Sequence, residues 1–158
     1  MKLVAFQAPN EGYSDSSVFI SSTPEETMVI GEKIGSALKP GDIVAIRGKL
    51  GAGKTVLARG IAASLGVQEP ITSPTYTIIS EYKAASMPFY HIDAYRLCGD
   101  DDFRLAGGEE FLYGGGVSVI EWPERISIPS AAVSIQIDIM EDSKRHIQFN
   151  AQGRKVIL

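Results

Sequence analysis

Gly48-Lys49-Leu50-Gly51-Ala52-Gly53-Lys54-Thr55 places two glycines, a lysine and a hydroxyl residue at the spacing G-x-x-x-x-G-K-[ST]. Glycines let a backbone curl until its N–H groups converge on phosphate oxygens. Lys54 would bring a point positive charge to the β- and γ-phosphates, and the Thr55 hydroxyl can ligate Mg²⁺. The chemistry is therefore nucleoside triphosphate binding. Such a loop must lie between a buried strand and the start of a helix, whose N-terminus favours anions. Asp42-Ile43-Val44-Ala45-Ile46 reads as the strand. Lys54 to Leu65 reads as the helix, with Val56, Leu57, Ile61, Ala62 and Leu65 at helical spacing and Gly66 as its stop.

A nucleotide hydrolase needs a second carboxylate for Mg²⁺, usually at a strand end. Val117-Ser118-Val119-Ile120-Glu121 is an apolar strand ending in an acid. Glu121 would meet the metal directly or through water. Trp122, the only tryptophan, follows at once and either lies near the nucleotide or simply packs. In His91-Ile92-Asp93-Ala94-Tyr95-Arg96, alternation puts His91, Asp93 and Tyr95 on one side of an extended segment. Asp93 could position an attacking water or hold Mg²⁺-bound waters, and Arg96 could steady negative charge on the phosphates or on a partner. A hydrogen-bonded structural network is the competing reading of this cluster. Ser73-Pro74-Thr75 stands where nucleotide switches keep a hydroxyl that senses the γ-phosphate, and equally fits a turn into a strand. No N/T-K-x-D sequence follows the phosphate loop, which favours ATP over GTP.

The remaining pattern supplies the scaffold. Val18 to Ser21 reads as a first strand. Thr23-Pro24-Glu25-Glu26 then starts a helix, with Thr23 as N-cap, Pro24 at the first helical position and Glu26 closing a capping box. Tyr76 to Tyr82 and Met87 to Ile92 read as antiparallel strands, and residues 100–112 as helical. Val133 to Ile139 and His146 to Phe149 form a final hairpin around Glu141-Asp142-Ser143. The fold expected is a three-layer α/β domain of the P-loop NTPase kind, with a mainly parallel sheet and antiparallel additions. Residues 1–17, polar from position 7, read as a flexible leader, and 18–158 as a single ATPase domain.

With 158 residues, 44% hydrophobic and 22% charged, the composition is that of a globular protein with one sizeable core. A net charge of −4 argues against a chain built to wrap nucleic acid. The lone Cys98 permits no internal disulfide and fits a reducing, cytoplasmic setting. No apolar run approaches the ~18 residues of a membrane span.

Together, GKLGAGKT at 48–55, SPTYT at 73–77, HIDAYR at 91–96 and VIEWPER at 119–125 resemble the bacterial TsaE (YjeE) family, in its order and spacing, over residues 18–150. The resemblance implies an ATPase of tRNA threonylcarbamoyladenosine synthesis. It implies that the amides of Leu50, Gly51, Ala52, Gly53, Lys54 and Thr55 bind the phosphates of ATP, and that Thr55 and Glu121 hold Mg²⁺. Asp93 would be the catalytic acid, Lys54 the charge on the phosphates, Thr75 the switch residue and Trp122 the tryptophan near the nucleotide. Thr23 and Pro24 match a segment near the adenine, and Arg145 a late basic position near the nucleotide. Family members bind the TsaB–TsaD heterodimer, whose cycle ATP hydrolysis resets, and meet tRNA only through that complex. Two other readings remain at the level of sequence: a small-molecule kinase on the same fold, and a nucleotide-gated binding module in which hydrolysis is incidental.

Overall fold

The computed structural model describes residues 3–4, 14–129, 133–152 and 158. In chain order the elements are β1 (Leu3–Val4), β2 (Ser14–Ser21), α1 (Pro24–Ser36), β3 (Ile43–Gly48), α2 (Lys54–Ser64), β4 (Ile79–Lys83), β5 (Pro88–Asp93), α3 (Asp100–Leu105), α4 (Gly108–Leu112), β6 (Val117–Glu121), β7 (Val133–Ile139) and β8 (Arg145–Gln152). The strands form one eight-stranded sheet in the order β1-β2-β8-β7-β3-β6-β5-β4. Neighbours among β7, β3, β6 and β5 run parallel. The outer pairings are antiparallel. This is an α/β fold with a mixed sheet and a parallel core.

The parallel strands read as apolar runs because both of their faces are covered. Val44 and Ile46 of β3 and Val117 and Val119 of β6 join a core with α1 and α2. Ile43 and Ile120 point the other way, into a smaller cluster with Leu97, Phe103 and Leu112 around α3 and α4. Residues 100–112 are two short helices rather than one, because Gly107 adopts φ +76° between them. No helix among the described residues is long and apolar enough to cross a membrane.

Thr23 caps α1 as its sequence predicts, its Oγ1 accepting from the Glu26 amide at 3.2 Å. Glu26 reaches back one residue further than a capping box requires and accepts from the Ser22 amide at 2.6 Å. Two expectations need correction. β2 begins at Ser14, so residues 14–17, assigned to the leader, pair with Phe149 to Gln152 of β8. Backbone ladders need no apolar side chains, and this polar stretch therefore carried no strand signal. Residues 5–13 of that leader lie outside the described residues. Likewise β4 starts only at Ile79, not at Tyr76. The chain before it turns, with Ile78 at φ +67° and its amide donating to the Pro74 carbonyl at 2.7 Å.

α1 and α2 meet through small residues, and this contact sets the position of the helix that follows the phosphate loop. A Cβ on Gly60 would lie 2.1 Å from the Met28 carbonyl oxygen, and one on Gly31 2.4 Å from that of Leu57. Helix propensity alone makes Gly60→Ala stabilising by about 1 kcal/mol. Overpacking against backbone costs about 1–3 kcal/mol, and a contact this short lies at the upper end. Gly60→Ala is therefore expected to destabilise the chain by about 1–2 kcal/mol in urea unfolding. A stabilised variant would show that the helices separate freely.

Candidate active site

β3 delivers Gly48 to the level where β5 and β6 also end. Ile46 is paired with Glu121, and Asp93 with Glu121, in parallel register. The carboxyl ends of three strands thus present the phosphate loop and both carboxylates to one region, where open α/β sheets bind ligands. Gly51 and Gly53 take φ +76° and +104°, conformations that cost a side chain energy and glycine little. Gly53 is the N-cap of α2 with no side-chain bond across that end. The first amides of the helix are left to an anion.

Lys54 is buried and donates from Nζ to the carbonyls of Gly48 at 2.7 Å and Lys49 at 2.9 Å. Its ammonium also sits 4.0 Å from the centre of the Trp122 ring, a cation–π distance. Trp122 is held there by φ +58° at the strand end and by the Tyr95 ring, 5.0 Å away. Glu121 is buried, and its Oε1 accepts from Thr55 Oγ1 and from His91 Nε2, both at 2.8 Å. Asp93 Oδ2 accepts from the hydroxyls of Ser73 at 2.9 Å and Thr75 at 3.0 Å, while Oδ1 accepts from the Tyr95 amide at 3.0 Å. The Ser73-Pro74-Thr75 segment is tied to the strand end through one carboxylate.

Two cavities flank the loop and share Gly51, Gly53 and Val56. The larger, about 460 Å³, is lined by Leu50, Lys54, Thr55, Ser73, Thr75, Asp93, Tyr95, Glu121 and Trp122. The smaller, about 210 Å³, is lined by Thr23, Pro24, Thr27, Ala52, Val56 and Arg145 among others. The residues expected in the site therefore fall into two groups, one on each side of the glycines. Leu50 is 81% exposed at the loop tip. Arg145 donates from Nε to the Ala52 carbonyl at 3.1 Å and from Nη2 to that of Gly51 at 3.4 Å, bracing the loop from outside. Arg96 lines neither cavity and lies over the Tyr76 ring at 4.6 Å. Sequence reasoning missed the partners: His91 on Glu121, Ser73 on Asp93 and Tyr95 on Trp122. Alternation in 91–95 was the signal available, but the partners come from other strands and loops.

The residues present fit Mg²⁺. Thr55 Oγ1 and the Glu121 carboxylate are hydrogen-bonded neighbours at 2.8 Å, so a hydroxyl and a carboxylate, both hard oxygen donors, stand together beside the phosphate loop. Among the described residues no three His, Cys, Asp or Glu side chains gather as a metal cage. The ion would depend on phosphate and water oxygens for its other ligands, its usual manner with nucleotides.

A profile of the protein family described as "Threonylcarbamoyl adenosine biosynthesis protein TsaE" matches residues 21–147. This chain belongs to the TsaE family. A relative from Bacillus subtilis, named tRNA threonylcarbamoyladenosine biosynthesis protein TsaE, is 39% identical over 134 residues, 84% of each chain. A relative of the same name from Treponema pallidum is 40% identical over 130 residues, 81% of this chain and 96% of its own. The crystal structure of Bacillus subtilis YdiB superposes with a TM-score of 0.73 at 32% identity, covering 89% of this chain and 88% of that one. The match includes the mixed sheet and its parallel core, and TsaE membership carries with it nucleotide binding.

Burial holds the Lys54 ammonium below its ordinary value of 10.5, with the charges of Glu121, Asp93 and Glu124 acting in the opposite direction. Between the lowered folded value and 10.5 the unfolded chain binds more protons, so stability rises with pH there. Unfolding free energy of the ligand-free protein, measured relative to Lys54→Met, is expected to increase as pH climbs toward 10.5. Urea unfolding of both proteins checks this. A difference that is flat or falls with pH contradicts it.

Proposed function

We propose that this TsaE family protein is a Mg²⁺-dependent ATPase that works with the TsaB–TsaD heterodimer, its hydrolysis resetting that complex between rounds of tRNA threonylcarbamoyladenosine synthesis. The family gives the role in threonylcarbamoyladenosine biosynthesis. The observation that supports hydrolysis is the convergence of Lys54, Thr55, Asp93 and Glu121 on one cavity beside the phosphate loop. The smaller cavity, on the Thr23 and Pro24 side, would take the adenine. Its described lining residues include no carboxylate to accept from the N–H groups of guanine.

In this reading Lys54 exchanges the carbonyls of Gly48 and Lys49 for β- and γ-phosphate oxygens. The loop amides bind the same phosphates, and Arg145 keeps Gly51 and Ala52 in the shape that aims them. Thr55 and Glu121 would hold Mg²⁺, which would neutralise phosphate charge. Asp93 trades a hydroxyl donor for the attacking water, orients it and takes up its proton. Thr75, released, reports on the γ-phosphate. Phosphoryl transfer of this kind is mostly positioning and charge stabilisation, which these buried groups can provide.

The tie between Asp93 and the 73–75 segment also favours a second reading, in which ATP orders that segment to dock a partner and hydrolysis is incidental. Asp93→Asn separates the two. The hydrolase reading expects ATP binding within a few-fold of wild type and turnover lower by about 10²–10⁴, with loss of support for the modification pathway. Full pathway support from that variant would favour the docking reading. Lys54→Ala is expected to weaken ATP binding by about 10- to 100-fold. Phosphate release from Mg²⁺-ATP, alone and with added heterodimer, tests the whole proposal. Slow turnover that the heterodimer accelerates supports it. Turnover seen only with metabolite acceptors would make the chain a kinase instead.

A further inference from the structure

We propose that His91 is a positioning residue for the Mg²⁺ carboxylate, fixing Glu121 through a single N–H. The inference rests on the Mg²⁺-nucleotide reading of the site. His91 is fully buried in the middle of β5, two residues before Asp93 and on the same side of the strand. Its Nε2 meets Glu121 Oε1 at 2.8 Å. A carboxylate oxygen accepts, so the hydrogen is on Nε2. Nδ1 has no partner among the described residues. A buried polar atom without a partner costs free energy. A leucine or phenylalanine against Phe89, whose ring centre is 6.4 Å away, would fill the space without that cost. What a hydrocarbon could not supply is the bond to Glu121.

That bond acts together with Thr55. Both donors land on Oε1, one from β5 and one from α2. The carboxylate plane is fixed from two elements, and Oε2 accepts from no described residue. Glu121 lines the larger cavity. An acid so fixed presents its second oxygen to a ligand without first losing rotational freedom. Hard cations reward such fixing, since partners behind a ligating group commonly change metal affinity by about 10- to 100-fold.

The amides of Gln and Asn separate the two ring nitrogens. Gln reaches as far as Nε2, whereas Asn ends near the position of Nδ1. Nucleotide binding by the purified full chain can be followed through Trp122, its only tryptophan, which the substitutions leave in place. A non-hydrolysable ATP analogue is titrated with increasing Mg²⁺ and, separately, in EDTA, after melting curves confirm that each variant is folded. The expected result is a Mg²⁺ half-saturation within about threefold of wild type for His91→Gln and raised at least tenfold for His91→Asn. Affinity in EDTA should stay within about twofold for both. Equal Mg²⁺ dependence in the two variants overturns the inference. So does a loss in EDTA as large as the loss with Mg²⁺, which would mark His91 as packing alone. A wild type that binds the analogue without any Mg²⁺ dependence would instead bring down the underlying reading of the site.

Discussion

Parallel pairing places Asp93 beside Glu121 and Glu121 beside Ile46, and the site depends on that register. A shift of one residue in β5 or β6 would turn its acid to the other face of the sheet. In register, two carboxylates and an ammonium are buried side by side at the strand ends, a costly arrangement unless each is hydrogen-bonded. Each is. Glu121 accepts from Thr55 and His91, Asp93 from Ser73, Thr75 and the Tyr95 amide, and Lys54 donates to two carbonyls. The close approach of α1 and α2 through Gly31 and Gly60 brings Thr55 to the place where it can complete the set.

Thr55 apart, these partners fall into two kinds. His91 and the Tyr95 amide belong to strand β5 and its continuation, and they hold the carboxylates still. Lys54 and the hydroxyls of Ser73 and Thr75 belong to the phosphate loop and the 73–75 segment, where a nucleotide would offer better charged partners. Under the proposed function, binding would be an exchange of hydrogen bonds that leaves no buried charge bare, and it would give ATP and ADP different purchase on the 73–75 segment, the differential contact that any nucleotide switch needs.

The phosphate loop was legible because all of its chemistry lies within Gly48 to Thr55, and because strand and helix on either side obey simple periodicity. The cap at Thr23, the buried strand ending in Glu121 and the final hairpin were legible for the same local reasons. Alternation put His91, Asp93 and Tyr95 on one side, but could not say that they serve Glu121, the 73–75 segment and Trp122 in turn. Those are contacts between elements, set by sheet order. The extra turn before β4 escaped notice because Tyr76 to Tyr82 alternates like a strand. The segment instead ties Ser73 and Thr75 to Asp93 and turns before the strand, with Ile78 at φ +67°.

A crystal structure of the chain with Mg²⁺ and a non-hydrolysable ATP analogue tests the central claim most directly. The account predicts that Lys54 Nζ leaves the Gly48 and Lys49 carbonyls for the β- and γ-phosphates, with Thr55 and Glu121 on the metal and the base beside Thr23 and Pro24. Triphosphate seated away from the 48–55 loop, or Lys54 still bonded to those two carbonyls beneath it, would contradict it.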